Sequence, residues 1–190
     1  MDKELYEKKI SSKKIFEGEI VELFVDKVKL PNNKIAIREK VTHPGAVGIV
    51  PVSKEGKIIL VKQFRYPLGS VLLEIPAGKL GKNENPLDCA RRELREEIGA
   101  TGGKLIHLTT FYTSPGFCNE VLYLYLAINF EKKENNLDDD EFLRIVELKM
   151  KDALSYVENG KLKDAKTIIG ILLSRDYLNR NTKIVGKDKK

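Results

Sequence analysis

The sequence predicts an α/β fold, in which a layered domain with a mixed sheet follows a small N-terminal β-rich extension. Three observations support this prediction. Short apolar or alternating segments separated by turn residues indicate strands, one segment with apolar residues at helical spacing lies between them, and further helix candidates follow the last strand. At 190 residues the chain has the length of one ordinary domain with a small addition. It can bury a core without disulfide bonds.

The first part of the chain predicts a β-hairpin. Residues 15–30 alternate in places between apolar and polar and end at Pro31-Asn32-Asn33-Lys34, and residues 35–41 resume the pattern. A break at residues 43–45 follows. We therefore predict three regions: a β-rich extension with a dimerisation role at residues 1–44, a main domain at residues 45–180 and a basic tail at residues 181–190.

The main domain opens with strands and contains one clear helix. The predicted strands are residues 46–52, 57–64, 71–75, 105–112, 121–130 and 142–148, and helices are predicted at residues 151–158 and 165–178. The clearest helix begins after Asn85, a good N-cap, with Pro86 in its first turn. Gly99 suits the position just after its C-terminus. Its apolar stripe consists of Leu87, Ala90, Leu94 and Ile98.

The basic balance of the chain lies at its ends. The net charge is +6, and residues 1–14 contribute +2 while residues 175–190 contribute +4, which leaves the body neutral. Lysine-rich ends are usually solvated tails, so we expect no nucleic-acid partner, although a basic nucleic-acid surface is the competing interpretation.

Cysteine and hydropathy patterns exclude two further classes. Cys89 and Cys118 form no CxxC pair, and His43 and His107 are isolated, so no zinc site is predicted. No apolar run reaches 18 residues and the N-terminus has no apolar signal region, so we expect no membrane partner and a cytoplasmic protein.

Three acids in the clearest helix indicate metal chemistry. Glu93 and Glu97 lie one turn apart with Glu96 beside them, and like charges at this spacing repel by about 0.2–0.5 kcal/mol per pair. We expect these carboxylates at the edge of the packed face, where a cleft can form. Clustered carboxylates suit Mg²⁺, with Mn²⁺ possible, and Arg92 could orient one of them. The alternative is a solvated helix face with i,i+4 charge pairs.

The complete spacing decides between these interpretations. Gly78, Glu84, Arg92-Glu93-Leu94, Glu96-Glu97 and Gly99 stand at the intervals of the Nudix box, with Ala100 in place of the usual larger aliphatic residue. The sequence thus resembles the Nudix hydrolases, which cleave nucleoside diphosphates linked to another moiety. The resemblance implies a Nudix α/β/α sandwich and a divalent cation bound by Glu93, Glu96, Glu97 and the Ala77 carbonyl. It also implies catalytic roles for Arg92, Glu96 and Glu97.

Further strings are similar to the ADP-ribose pyrophosphatase group of that family. They are Arg38-Glu39, residues 43–47, 63–67 and 74–78, Ser114-Pro115-Gly116-Phe117 with Glu120, and Asp164-Ala165-Lys166-Thr167. Pro115 lies fifteen positions beyond Ala100, as in that group, although an ordinary Pro-Gly turn is the alternative. The resemblance implies Mg²⁺-dependent hydrolysis of ADP-ribose, or a related nucleoside diphosphate sugar, to AMP and a sugar phosphate.

The group also implies roles outside the box. Arg65, Pro115 and Glu120 would bind substrate, and Arg38 would reach the other subunit of a homodimer; the alternative for Arg38 is an exposed strand charge. Glu141, with Asp139 second, would be the catalytic base, and a solvated acidic loop is the alternative. NADH, FAD, dinucleoside polyphosphates or oxidised nucleotides remain open as substrates, as does a non-catalytic nucleotide- or RNA-binding domain.

Overall fold

A computed structural model describes Asp2, residues 4–133 and residues 142–181. In these ranges the helices are α1 (Pro86–Ile98), α2 (Met150–Glu158) and α3 (Ala165–Arg180), and a single 3₁₀ turn spans Tyr66–Leu68. The strands are β1 (Lys8–Glu17), β2 (Glu22–Lys29), β3 (Ile35–Thr42), β4 (Ala46–Pro51), β5 (Lys57–Arg65), β6 (Ser70–Glu74), β7 (Ala77–Lys79), β8 (Ala100–Thr101), β9 (Lys104–Tyr112), β10 (Val121–Ile128), β11 (Glu131–Lys132) and β12 (Leu143–Lys149).

The chain forms two compact units. The first comprises Met1–Gly45 and Phe111–Leu122, and the second comprises Ala46–Thr110 and Tyr123–Lys190. The segment Phe111–Leu122 thus groups with the N-terminal region, which no pattern in the sequence indicated. No helix in the described ranges is long and apolar enough to cross a membrane.

The first unit contains a three-stranded antiparallel sheet in the order β1-β2-β3. The predicted hairpin is confirmed as β2 and β3, with the backbone of Asn33 at a φ of 67° in the turn, but its first arm begins at Glu22 and not at Ile15, which belongs to β1. The expectation of a solvated tail through residue 14 is wrong, because β1 begins at Lys8 and pairs with β2. Every residue of β1 is exposed, so no alternation between a buried and a solvated face marks it in the sequence.

The second unit is built around β4, which lies inside a four-stranded sheet in the order β7-β4-β10-β9. A second sheet has the order β12-β5-β6, and β11 pairs with β8. Successive side chains of β4 point to opposite faces. Val47 and Ile49 pack with Cys89 of α1, whereas a Cβ on Gly170 of α3 would lie 2.7 Å from Val50. Helices α1 and α3 therefore cover opposite faces of β4, which is the arrangement of an α/β/α sandwich.

The local signals for α1 are confirmed. The side-chain oxygen of Asn85 accepts a hydrogen bond from the Leu87 amide at 2.9 Å, which caps the helix. Gly99 ends the helix with a φ of 66°, and its amide donates to the carbonyls of Arg95 and Leu94. The start and end of α1 place Arg92 and the three acids within a helix whose ends are both fixed.

Candidate active site

The acids of α1 are more deeply placed than the sequence indicates. Glu93 is 6% exposed and Glu97 is 2% exposed, so both lie in the packed face together with Leu94 and Ile98. The expectation that they stand at its edge is wrong. One reason is the neighbouring strand β7, whose Gly78 lies against the carboxylate of Glu93.

That approach depends on Gly78 in β7. A Cβ at this position would overlap with the carboxylate of Glu93, so no larger residue fits without moving Glu93. The glycine therefore allows the backbone beside the Ala77 carbonyl to lie against a buried acid. This close approach is a steric reason why the first residue of the sequence motif is a glycine.

Arg92 connects the acids. Its Nε and Nη2 donate to the two carboxylate oxygens of Glu84 at 2.9 and 3.1 Å, and its Nη1 donates to Glu93 Oε1 at 2.7 Å and Glu96 Oε2 at 2.9 Å. Nη2 also lies 3.2 Å from the carbonyl oxygen of Lys79. One guanidinium thus organises three carboxylates, which the sequence could only suggest for one of them.

These contacts shift the acid–base properties of the partners. The hydrogen bonds from Arg92, and then that from the Gly81 amide, lower the pKa of Glu84 to about 2. The Glu84 hydrogen bond raises the pKa of Arg92 above its ordinary value. Burial raises the pKa of Cys89 to about 12, so this cysteine stays a thiol and contributes to packing.

The donor set fits a hard divalent cation in its chemistry. Glu84, Glu93 and Glu96 contact the guanidinium of Arg92, and Arg95 lies 3.6 Å from Glu96. With Glu97, which is buried on α1, the four acids and two arginines leave a formal excess of two negative charges. Among the described residues, no group of three or more His, Cys, Asp or Glu side chains has an arrangement that could hold a metal ion. Arg92 Nη1 instead lies between Glu93 and Glu96.

Arg65 belongs to a second charged group. Its Nε and Nη2 donate to the two oxygens of Glu74 at 2.8 and 2.9 Å, and Lys166 also contacts Glu74. Glu74 is buried, and burial would raise its pKa, but the hydrogen bond from Arg65 and the charge of Lys166 outweigh this and lower it. The hydrogen bond to Glu74 raises the pKa of Arg65, to which the charge of Glu97 also contributes.

The remaining described site candidates lie in the first unit. Arg38 donates through Nε and Nη2 to Glu7 at 2.9 and 2.6 Å. Pro115 is exposed in a turn in which the Phe117 amide donates to the carbonyl of Ser114. Glu120 accepts a hydrogen bond from the Thr113 hydroxyl at 2.5 Å. These three predicted residues thus group with the extension, whereas Ala77, Arg65, Arg92, Glu93, Glu96 and Glu97 belong to the second unit.

Glu141 and Asp139 lie outside the described residues. Glu74 and Lys166 occur in strings that the sequence singled out, but they carried no assigned role there. The β5–β6 pairing would not have found them, because it sets Arg65 opposite Ser70 and Glu74 opposite Val61, four positions further along the hairpin.

Comparison with known proteins agrees with the sequence motif. The model of the family described as "NUDIX domain" matches residues 42–168. An ADP-ribose pyrophosphatase of Bacillus subtilis (strain 168) is 48% identical over 171 residues, which cover 89% of this chain and 92% of that protein. A methanol dehydrogenase activator of Bacillus methanolicus is 45% identical over 173 residues, 90% of this chain and 94% of that protein. The predicted family resemblance is confirmed.

A solved structure confirms the fold. The crystal structure of an ADP compounds hydrolase superposes with a TM-score of 0.84 at 19% sequence identity, covering 93% of this chain and 97% of that one. At this identity the likeness shows the architecture alone. It agrees with the two helices found on opposite faces of β4.

Proposed function

The chain belongs to the Nudix family, and on that premise we propose that it hydrolyses the pyrophosphate bond of ADP-ribose, or of a related ADP-sugar, to AMP and a sugar phosphate. The observation that carries the reaction type is the group of three carboxylates around Arg92, with Glu97 as a further buried acid of α1. The choice of ADP-ribose rests on the similarity to the pyrophosphatase of Bacillus subtilis along 89% of the chain.

Arg65 is the proposed diphosphate ligand. Its side chain is 39% exposed, and its two hydrogen bonds to Glu74 use two of the five guanidinium N–H groups. Among the described residues no other side chain or carbonyl accepts from Arg65, so three N–H groups remain for phosphate oxygens, and the bidentate pairing holds the plane of the guanidinium in one orientation.

Glu93, Glu96 and Glu97 with the Ala77 carbonyl are the proposed ligands of Mg²⁺, or of Mn²⁺ in its place. When bound there, the cation would neutralise diphosphate charge and lower the pKa of a bound water. The buried position of Glu93 and Glu97 keeps their carboxylates at fixed places on α1. Arg92 orients Glu93 and Glu96 in the protein without metal, and a positioned carboxylate removes the proton from the attacking water. We infer Glu141 as that base, with Asp139 second.

We further infer a cytoplasmic homodimer formed through the extension. Large apolar side chains are exposed on β1 and β3, and exposed apolar surface of this kind is typical of an interface. They are Ile10, Ile15, Phe16, Ile35 and Ile37. Arg38 lies on β3 and would contact substrate in the partner's site after exchanging Glu7 for phosphate.

Arg38→Ala tests this shared site. We expect it to raise the KM for ADP-ribose while the mass measured by light scattering stays that of a dimer, because a single exposed arginine contributes little to an apolar interface. Arg144→Ala, another exposed strand arginine, is the control. An unchanged KM would remove Arg38 from the site, and a monomeric wild-type protein would remove the dimer.

The assay for the function itself is direct. The protein is incubated with ADP-ribose and Mg²⁺, and AMP and ribose phosphate are quantified by chromatography, with an EDTA sample beside it. NADH, FAD, a diadenosine polyphosphate and GDP-mannose form the comparison panel. We expect the highest kcat/KM for ADP-ribose. Faster turnover of another compound would replace the substrate, and no turnover of any of them would refute the enzymatic function.

A further inference from the structure

The first turn of α3 carries three polar side chains directed at the end of β6. Asp164 accepts a hydrogen bond from the Thr167 amide at 3.0 Å and so caps the helix. The Thr167 hydroxyl donates to Asp164 at 2.5 Å and accepts from the Ile75 amide at 2.9 Å. Lys166 Nζ contacts Glu74 and lies 3.0 Å from Asp164. We refer to Asp164, Lys166 and Thr167 as the α3 clamp.

Two of these contacts go beyond what the helix needs. Capping is complete with the bond from the Thr167 amide to Asp164. The Thr167 hydroxyl and the Lys166 ammonium instead satisfy an amide and a carboxylate of neighbouring residues, Ile75 and Glu74, ninety-two positions away in each case. Thr167 and Glu74 are buried, and a lysine as enclosed as Lys166, whose side chain is 14% exposed, is rare unless it is paired.

The clamp reaches Arg65 through Glu74. Both Glu74 oxygens accept from Arg65, and Lys166 shares one of them. With Lys166 present, two cations face the two carboxylates of Glu74 and Asp164. Without the charge of Lys166, Glu74 and Asp164 both attract Arg65. The two acids then neutralise the charge of Arg65 and draw its guanidinium away from the substrate.

We propose that Lys166 and Thr167 are positioning residues that hold Glu74, and through it Arg65, in the orientation that receives a diphosphate. The role of Arg65 in this statement rests on the proposed function. The residues act through Arg65 and do not touch the substrate themselves.

Kinetics of clamp variants give the first test. We expect Lys166→Met to raise the KM for ADP-ribose about tenfold with kcat changed less than about twofold, and Thr167→Val to act in the same direction. Lys166→Arg and Thr167→Ser should restore the KM, because they keep a positively charged N–H donor and the hydroxyl. Ser174→Ala removes another buried hydroxyl of α3, whose oxygen has no hydrogen-bond partner among the described residues, and should leave both constants unchanged. A KM equal to that of the wild type in Lys166→Met would overturn the proposal.

A double-mutant cycle separates positioning from a general loss of structure. In an Arg65→Ala background, Lys166→Met should raise the KM no further, because the residue through which it acts is gone. Independent, additive effects would overturn the proposal. Lys166→Gln serves as a second variant if the methionine protein does not fold, as judged by its thermal melt.

A measurement without substrate keeps this test apart from the proposed function. In protein labelled with ¹⁵N-arginine, the Nε–H of Arg65 should exchange slowly with water because it donates to Glu74, and about tenfold faster in Lys166→Met. Equal exchange rates in the two proteins would refute positioning by Lys166. If the wild type does not hydrolyse ADP-ribose, the proposed function fails, while this rate still decides whether Lys166 positions Arg65.

Discussion

Arg92→Ala should destabilise the protein far more than the loss of one partly exposed arginine implies. Arg92 is the shared donor of Glu84, Glu93 and Glu96, and the first and last of these are each about one fifth exposed. The side chain of Glu93 is 8% exposed, so its charge would remain buried without this partner. The variant therefore removes the Arg92 pair of a buried acid and the cation that separates three acids.

The magnitude follows from the burial of each acid. Removing one partner of a buried pair costs about 3–5 kcal/mol, which applies to Glu93. The more exposed Glu84 and Glu96 regain water and add at most about 1 kcal/mol each. We expect an unfolding free energy lower by about 4 kcal/mol and, for a chain of this length, a Tm lower by roughly 8–16 °C.

Urea denaturation in EDTA measures this loss, and Arg91→Ala is the matched control. Arg91 is the next residue of the same helix, and it pairs with Asp88 where both side chains are at least 60% exposed, so its removal should cost less than about 0.5 kcal/mol. Added Mg²⁺ should recover part of the loss in Arg92→Ala, because a cation that binds the folded acids stabilises that state. Equal stabilities of the two variants in EDTA would show that Arg92 does not organise buried acids.

Three further predictions concern the same group. Gly78→Ala should lower ADP-ribose turnover by about 100-fold or more, because the new Cβ displaces the Glu93 carboxylate. The control Gly81→Ala should retain activity, because its Cβ would meet a flexible Glu84 oxygen at 3.3 Å. Similar rates in the two variants would contradict this prediction. Glu97→Gln should reduce kcat by orders of magnitude, about 1000-fold, with an intact thermal melt, and a wild-type rate would mean that the motif is misinterpreted. The pKa of Glu84 is lowered to about 2 from an ordinary 4.5, so its pairing stabilises the fold above pH 4.5 and this stability is lost as the pH falls from 4.5 towards 2. We expect the free energy of unfolding, measured by metal-free urea titrations, to fall by about 1–2 kcal/mol over this range after screening. An equally steep dependence of the unfolding free energy on pH in Glu84→Gln would contradict this prediction.

The sequence was sufficient for the local features of α1. Asn85, Pro86 and Gly99 act within one turn of their own positions, so the ends of the helix could be predicted without knowledge of its neighbours. The acids of the motif likewise share one helix face by spacing alone. The family, the sandwich and the hydrolase class followed from this one stretch of chain.

Burial of the acids could not be predicted in the same way. It depends on β7 lying against α1, and the sequence distance from Gly78 to Glu93 does not state how closely they approach. The strand β1 was missed because it has no buried face to produce a periodic signal. The contact of Lys166 with Glu74 required the position of α3 beside β6, which no local pattern contains.

The two arginines of the second unit show why geometry, and not residue type, assigns their roles. All three nitrogens of Arg92 donate within the protein, to Glu84, Glu93, Glu96 and the Lys79 carbonyl, so its five N–H groups are occupied by acids and backbone. Arg65 uses two N–H groups on Glu74 and keeps three within the part of the chain that the structure describes. A phosphate can therefore add to Arg65 without breaking one of these bonds, whereas at Arg92 it would compete with three carboxylates. The sequence treats both as arginines beside acids, but the count of remaining donors makes Arg92 the organiser of the acids and Arg65 the binder of the anion.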